Sequence, residues 1–363
     1  MRNSRFAGRL PYRRPLPTVV IGGMIAVLIS LVALVSCARP AAGGSGEGPG
    51  ELVVYSARNE QFVDPLLHRF AEETGITVRA LHAGGSAVNR IVEESRNVQA
   101  DIFISNDVGA LEYLRMGGHL QGFEPEGIES IDPRYRAADH SWLALSARTR
   151  VLMYNKDLIT DEAMPQTIWE LANPTWAGQF AITRGGNGSM IAHISALRYE
   201  WGDSKTAQWI AGVMENAGAI MQGHGDIRRA VGGGEFAFGL VNNYYYHQQL
   251  LEPTHNNVGV LYPDQGEDEM GAVVNAAGVA FVAGAPNAEN ARRFLTWILR
   301  PENQREFSYA SMEVPINPSI EAVGEAAAIS NYKVHSMPLD RLGEVFEDTR
   351  EFIERAGLAL ELR

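Results

Sequence analysis

The sequence predicts an α/β protein of two halves with a ligand cleft between them, and three observations carry this. From Glu51 onward, short apolar runs alternate with amphipathic stretches of helical period. A second series of the same kind begins after residues 142–154. A Gly- and Ser-rich stretch at 41–50 separates this body from a basic and apolar start. With 363 residues, 45% hydrophobic and 20% charged, the chain can fill two cores and is not charged enough to stay disordered.

The elements follow in order. Leu52-Val53-Val54-Tyr55 is a short buried strand, and Phe62, Val63, Leu66, Leu67 and Phe70 recur at helical spacing. Pro65 falls in the first turn expected for that helix, and Gly75 is its stop. Residues 76–81 and 101–105 form the next strands, with a helix over 88–94 between them. In the second series, 180–183 is a strand and Gly185-Gly186-Asn187-Gly188-Ser189 opens a helix reaching about Trp201. Helices over 209–217 and 226–231 precede a strand at 236–241, which runs into Asn242-Asn243-Tyr244-Tyr245-Tyr246-His247. A strand at 277–281 and a helix carrying Ala291, Phe294, Leu295, Ile298 and Leu299 on one face come last. Such alternation implies βαβ units and a mainly parallel sheet, with ligands bound at the C-terminal ends of the strands. Segments 56–60, 105–107 and 242–246 should therefore line the cleft.

Charge and motifs exclude several functions. Residues 1–36 hold five Arg and no acidic residue; the remainder has 26 basic against 43 acidic side chains, a net of −17. A surface that acidic repels nucleic acid and attracts cations. The single cysteine excludes a disulfide scaffold, and there is no CxxC, HExxH or GxSxG. The acidic run at 264–269 lacks EF-hand spacing. No nucleophile–base pairing is visible, so an enzyme is not expected.

The Arg-rich start leads into an apolar run at 19–36 that ends in Leu34-Val35-Ser36-Cys37. A basic segment, an apolar segment and small residues describe a secretory signal. The ending resembles a bacterial lipobox, which implies lipidation at Cys37, the only cysteine. The machinery is then held outside the cytoplasmic membrane by a flexible tether.

Three consecutive tyrosines are the least ordinary feature of the body. From the residues alone, two uses stay open. The rings could pack or stack against a sugar-like ligand, or the phenolates could coordinate a metal. A phenol ionises near pH 10, so a tyrosinate at neutral pH needs a hard, highly charged cation such as ferric iron beside it. The glycine-rich helix start at 185–189 could present backbone N–H groups to an anion, though it lacks the Lys-Ser/Thr ending of a P-loop.

Specific stretches are 142–151 (Trp-Leu-Ala-Leu-Ser-Ala-Arg-Thr-Arg-Val) and Asn242-Asn243-Tyr244-Tyr245. More generic ones are 54–58, 100–103 and 314–318. Together they resemble the ferric-iron-binding extracellular solute-binding proteins of bacterial ABC importers. The resemblance implies the periplasmic-binding-protein type II fold: two α/β domains joined by hinge strands. It places a leader at 1–36, a tether at 37–50, one domain at 51–148 plus 274–322, and the other at 149–273 plus 323–363. It also implies that Tyr244 and Tyr245 ligate Fe(3+), with Tyr246 packing or walling the pocket. The His ligand usual in the first loop is replaced by Asn59, next to Glu60. The carboxylate after the third strand is replaced by Asn106, next to Asp107. Glu60 and Asp107 are then the candidate further metal ligands. Asn187, Gly188, Ser189, Arg148 and Asn242 match anion-binding positions for carbonate or phosphate, and His224 joins the cleft. The implied partners are a membrane permease with its ATPase, with the binding protein as a monomer. The competing expectation is an importer subunit for an organic or oxyanion solute, with the tyrosines stacking rather than ligating.

Overall fold

The computed structural model describes residues 50–324 and 326–362; the expected leader, Cys37 and nearly all of the tether lie outside them. The first half opens with β1 (Glu51–Ser56), α1 (Glu60–Thr74) and β2 (Thr77–His82), then α2 (Ser86–Glu93), β3 (Ile102–Ser105) and α3 (Val108–Met116). In α1 the Asn59 side chain accepts the Gln61 N–H, and Gly75 ends the helix at φ 71° with its N–H on Ala71. Asn caps and left-handed Gly stops satisfy backbone groups that a helix end leaves bare. The helix starts earlier than its apolar spacing predicts, so Pro65 lies in its second turn.

The chain then forms β4 (Trp142–Asn155), β5 (Phe180–Thr183), α4 (Gly188–Asn216), β6 (Ala219–Met221), α5 (His224–Gly232), β7 (Phe238–Asn242) and α6 (Asn243–Leu250). The two helices expected over 189–217 are joined across a kink at Gly202, whose φ of 75° only glycine adopts cheaply. The last elements are β8 (Val258–Leu261), β9 (Val274–Phe281), α7 (Ala288–Ile298), α8 (Pro301–Tyr309), β10 (Val314–Pro315) and α9 (Arg341–Arg355). No helix among the described residues is long and apolar enough to cross a membrane.

The strands run in the order β2-β1-β3-β9-β4-β7-β5-β6, with β8 and β10 also paired to β4. The βαβ strands are parallel, but β9 lies antiparallel to β3 and β4, and β4 antiparallel to β7, β8 and β10. The sheet is therefore mixed rather than mainly parallel. The strands that pass between halves enter against the direction of the βαβ strands, a pairing that local periodicity does not encode. Residues Trp142–Thr149 of β4 pair with β9, and Arg150–Asn155 pair with β7 and β8. Gly278 permits the first of these contacts, because a Cβ there would sit 2.2 Å from the Leu143 carbonyl oxygen.

One core fills the first half around Phe70, Phe103, Trp142 and Phe281; two others cover the second-half strands, around Phe180 and Trp209 and around Ile227 and Val241. Fully burying one such side chain contributes roughly 1.5–3 kcal/mol. The C-terminal segment is shared: Met337, Leu339 and Leu342 join the first core, and Phe352, Ile353 and Leu358 the second.

Three stretches meet where the chain passes between halves. The hydroxyls of Thr149 in β4 and Tyr332 are 2.6 Å apart, and the Tyr332 ring packs at 4.3 Å on Tyr262, just after β8. Val334 bridges to Ala272. Between Tyr262 and Ala272 lies Asp264, buried with φ 59°, whose Oδ2 accepts the Ile168 N–H at 3.2 Å. Burial, with Glu269 and Glu170 nearby, pushes its carboxyl up to about 7, against a weaker hydrogen bond that lowers it. The fold thus holds this proton while the unfolded chain releases it near pH 4, so stability falls as pH rises from about 4 to about 7. Asp264→Asn keeps the acceptor and tolerates the left-handed backbone. Thermal melts should show it several degrees more stable than wild type at pH 8, with the gap nearly closed at pH 4.5.

Candidate functional site

The tyrosines sit at the junction of β7 and α6. Asn242 ends the strand opposite Arg150 of β4, and buried Asn243 starts the helix, its Oδ1 accepting the Thr149 N–H at 3.0 Å. Helical geometry then sends three adjacent side chains in different directions. Tyr246 is buried in the core around Ile227 and Val241. Tyr244 and Tyr245 stay partly exposed with their rings 4.4 Å apart and inclined by 34°. The His224 ring lies 5.3 Å from Tyr245.

Asn242 ties this pair to its surroundings. Its Nδ2 donates to Ser189 Oγ at 3.0 Å and to the Tyr244 hydroxyl at 3.4 Å, while its Oδ1 accepts from Arg150 Nη1 at 3.1 Å. Ser189 belongs to the first turn of α4, whose cap is Asn187; the Asn187 Oδ1 accepts the Ser189 N–H at 3.0 Å. A Cβ built on Gly188 would meet nothing within 4 Å, so this helix start opens onto space.

Arg150 is a residue of this site that sequence inspection passes over. Its guanidinium is buried and has no carboxylate partner among the described residues. It donates instead to Asn242 Oδ1 and to His224 Nε2 at 3.2 Å. Burial presses it down to about 9, with Tyr244 and Tyr245 opposing that shift and Arg148 adding to it, so it remains charged at neutral pH. Burial, then Arg150 and Arg148, drive His224 far below its usual range, leaving the imidazole neutral. Burial and the Tyr244 phenol push Tyr245 up, so the phenol keeps its proton at neutral pH. The signal for Arg150 lay in the Arg-Thr-Arg of 148–150, because residues two apart on a strand share a face.

Arg148 faces the first half. Its Nη2 lies 3.3 Å from Asp107 Oδ2 and its Nη1 3.7 Å from Glu313 Oε1. Asp107 caps α3 by accepting the Gly109 N–H at 2.7 Å and takes Asn275 Nδ2 at 2.6 Å. Glu313 is bound by Arg58 at 3.0 Å and by the Ser146 hydroxyl. Burial alone would raise the Glu313 carboxyl, but Arg58 and Arg148 outweigh it and hold it below the usual range. Asn275, Glu313 and Arg58 complete this cluster; Arg58 closes the 54–58 stretch, and no local motif marks the other two.

The remaining candidates lie on the first-half loops. Asn106 Nδ2 donates to the Ala57 carbonyl at 3.0 Å, tying the loop after β3 to the loop after β1. Asn59 and Glu60 are exposed at the start of α1, and neither has a hydrogen bond or ion pair to the tyrosines among the described residues. No group of three or more His, Cys, Asp or Glu poised for a metal occurs among the described residues. The arrangement offers a hard cation two phenols and offers an anion the Arg148 guanidinium and a helix start.

Known proteins share this architecture. The profile of the bacterial extracellular solute-binding protein family matches residues 66–334. Iron uptake protein A1 of Synechocystis sp. is 29% identical over 349 residues, spanning 93% of this chain and 96% of that protein. The Trichodesmium protein IdiA (FutA), solved in complex with iron and citrate ligands, superposes with a TM-score of 0.76 at 27% identity, covering 85% of this chain and 100% of that one. Iron-bound HitA from Pseudomonas aeruginosa superposes with a TM-score of 0.78 at 25% identity over the same shares. These neighbours have the two-domain α/β fold of periplasmic binding proteins. With the family profile spanning most of its length, the chain belongs to the bacterial extracellular solute-binding proteins.

Proposed function

We propose that this protein is the ferric-iron-binding subunit of an ABC importer, capturing Fe(3+) through the phenolates of Tyr244 and Tyr245 and delivering it to a membrane permease. The observation that carries this is the Tyr244–Tyr245 pair, with ring centroids 4.4 Å apart and bordered by a charged Arg150. Relatives named for iron uptake, and neighbours solved with iron, support the same cargo.

The chemistry is a proton–metal exchange. Without metal, Tyr245 is held protonated by burial. Ferric iron displaces the phenolic protons because its charge stabilises the oxyanions far more than the apolar surroundings penalise them. Arg150 adds a fixed positive charge that favours the same anionic form. Two phenolates leave coordination positions and positive charge on the metal. An oxyanion such as carbonate or phosphate completes the shell, held by Arg148 and by the open start of α4 at Asn187, Gly188 and Ser189. The IdiA complex, with citrate beside its iron, supports an anion in this role. Release follows from opening of the halves, or from protonation of the phenolates with loss of the anion. Cys37 is the lipid anchor in this scheme, and the mature protein works outside the cytoplasmic membrane as a monomer.

Titrating the 47–363 unit with ferric citrate, with and without bicarbonate or phosphate, should produce a visible phenolate-to-iron charge-transfer band. Tyr244→Phe and Tyr245→Phe should each abolish or strongly reduce that band, and Tyr246→Phe should keep it. Absence of any band in the wild type would point to an organic solute in the same cleft. Arg150→Gln retains a donor for Asn242 but no charge; citrate competition should show ferric affinity lowered roughly tenfold. Cys37→Ser should move the full-length protein out of the membrane fraction or block its maturation, and a variant still carrying lipid would overturn the anchor.

A further inference from the structure

Given that Arg148 receives an anion, as proposed above, we infer that Asp107 is an internal stand-in for that anion: its carboxylate occupies the Arg148 fork until an oxyanion displaces it, and it does not ligate iron.

The bond lengths single out which contact gives way. Asp107 makes three, and two are firm: Asn275 Nδ2 at 2.6 Å and the Gly109 N–H at 2.7 Å, the latter closing the start of α3. Its contact with Arg148 Nη2 is the loosest, at 3.3 Å, beyond the span typical of a charge-assisted bond. Arg148 is correspondingly under-used. Its side chain is 8% exposed, its second contact, to Glu313, is 3.7 Å, and its buried Nε has no partner among the described residues. Glu313 keeps its hydrogen bonds to Arg58 and Ser146 whatever else Arg148 engages. A bidentate oxyanion arriving at Nε and Nη2 therefore satisfies an orphaned donor and replaces one long contact. Asp107 keeps Asn275 and the helix cap when that happens. Both firm bonds hold the carboxylate to the first half, at the start of α3 and against β9, and neither reaches the tyrosines, so the geometry favours displacement over coordination.

Charge gives the stand-in a function. Arg58 and Arg148 balance Asp107 and Glu313, so a free anion meets a donor fork in a neutral cluster. Metal arriving at the tyrosines tips that balance, and the anion then enters with it. Asp107 thereby couples anion capture to iron and sets the anion concentration that the site requires.

The test is calorimetry of the metal-free 47–363 unit, which contains all three cores, with inorganic phosphate and with bicarbonate. Asp107→Asn preserves an N-cap side chain and should tighten phosphate binding on the order of tenfold. Glu60→Gln removes an exposed carboxylate from the same half and should change it by less than about twofold. The double variant Asp107→Asn/Arg148→Lys should lose the gain, because an ammonium cannot form the fork. Equal gains in Asp107→Asn and Glu60→Gln, no gain in Asp107→Asn, or a gain that survives Arg148→Lys would each overturn the inference. So would loss of the ferric band in Asp107→Asn at every anion concentration, which would make Asp107 an iron ligand. The phosphate measurements need no iron. A wild type without a ferric band would overturn the cargo and still leave the stand-in measurable.

Discussion

A single strand belongs to both halves of this molecule, and the site hangs from it. β4 is hydrogen-bonded to β9 up to Thr149 and to β7 from Arg150, so two neighbouring arginines fall at the point where the chain passes from one half to the other. Because they are two residues apart on a strand, their guanidiniums share a face. Arg148 is turned to the carboxylates of the first half, and Arg150 to the amide, imidazole and phenols of the second. The pair therefore sits where contacts from both halves converge.

The electrostatic design follows from what each arginine lacks. Arg150 is buried without a carboxylate partner among the described residues, a costly state that persists where the surroundings supply hydrogen bonds and a use for the charge. Here the hydrogen bonds come from Asn242 and neutral His224, and in the proposed function the charge serves the negative groups bound beside the tyrosine pair. Arg148 has carboxylates within reach and holds both of them loosely. The site thus keeps one cation committed and one available. That division suits a cleft in which a trivalent cation and an anion must arrive together and leave together.

Much of this was legible in the sequence where the signal is local. Apolar spacing located the βαβ helices; the run of three tyrosines after a strand, the glycine-rich helix start and the 142–151 stretch located the site loops. Resemblance placed Arg148, Asn187, Ser189 and Asn242 at the anion positions, and the structure joins Asn242 to Ser189 and Ser189 to Asn187. What stayed hidden depends on distant partners. The antiparallel entry of β9 joins Ile102 to Phe281, and the C-terminal segment divides its apolar residues between two cores. Neither fact has a signature in any short window of residues. Glu60 and Asp107 looked equivalent as carboxylates beside substituted ligand positions, but Glu60 is exposed and Asp107 is held by Asn275 from β9.

The sequence by itself therefore determined the secondary elements, the tyrosine pair and the family, because each rests on residue type and spacing along the chain. Only the tertiary structure decided the state of the charges. Whether an arginine is committed, orphaned or available depends on which oxygens lie within about 4 Å of it and how close they come. At this site those oxygens come from Asp107, Asn242 and Glu313, brought to β4 from three separate parts of the chain.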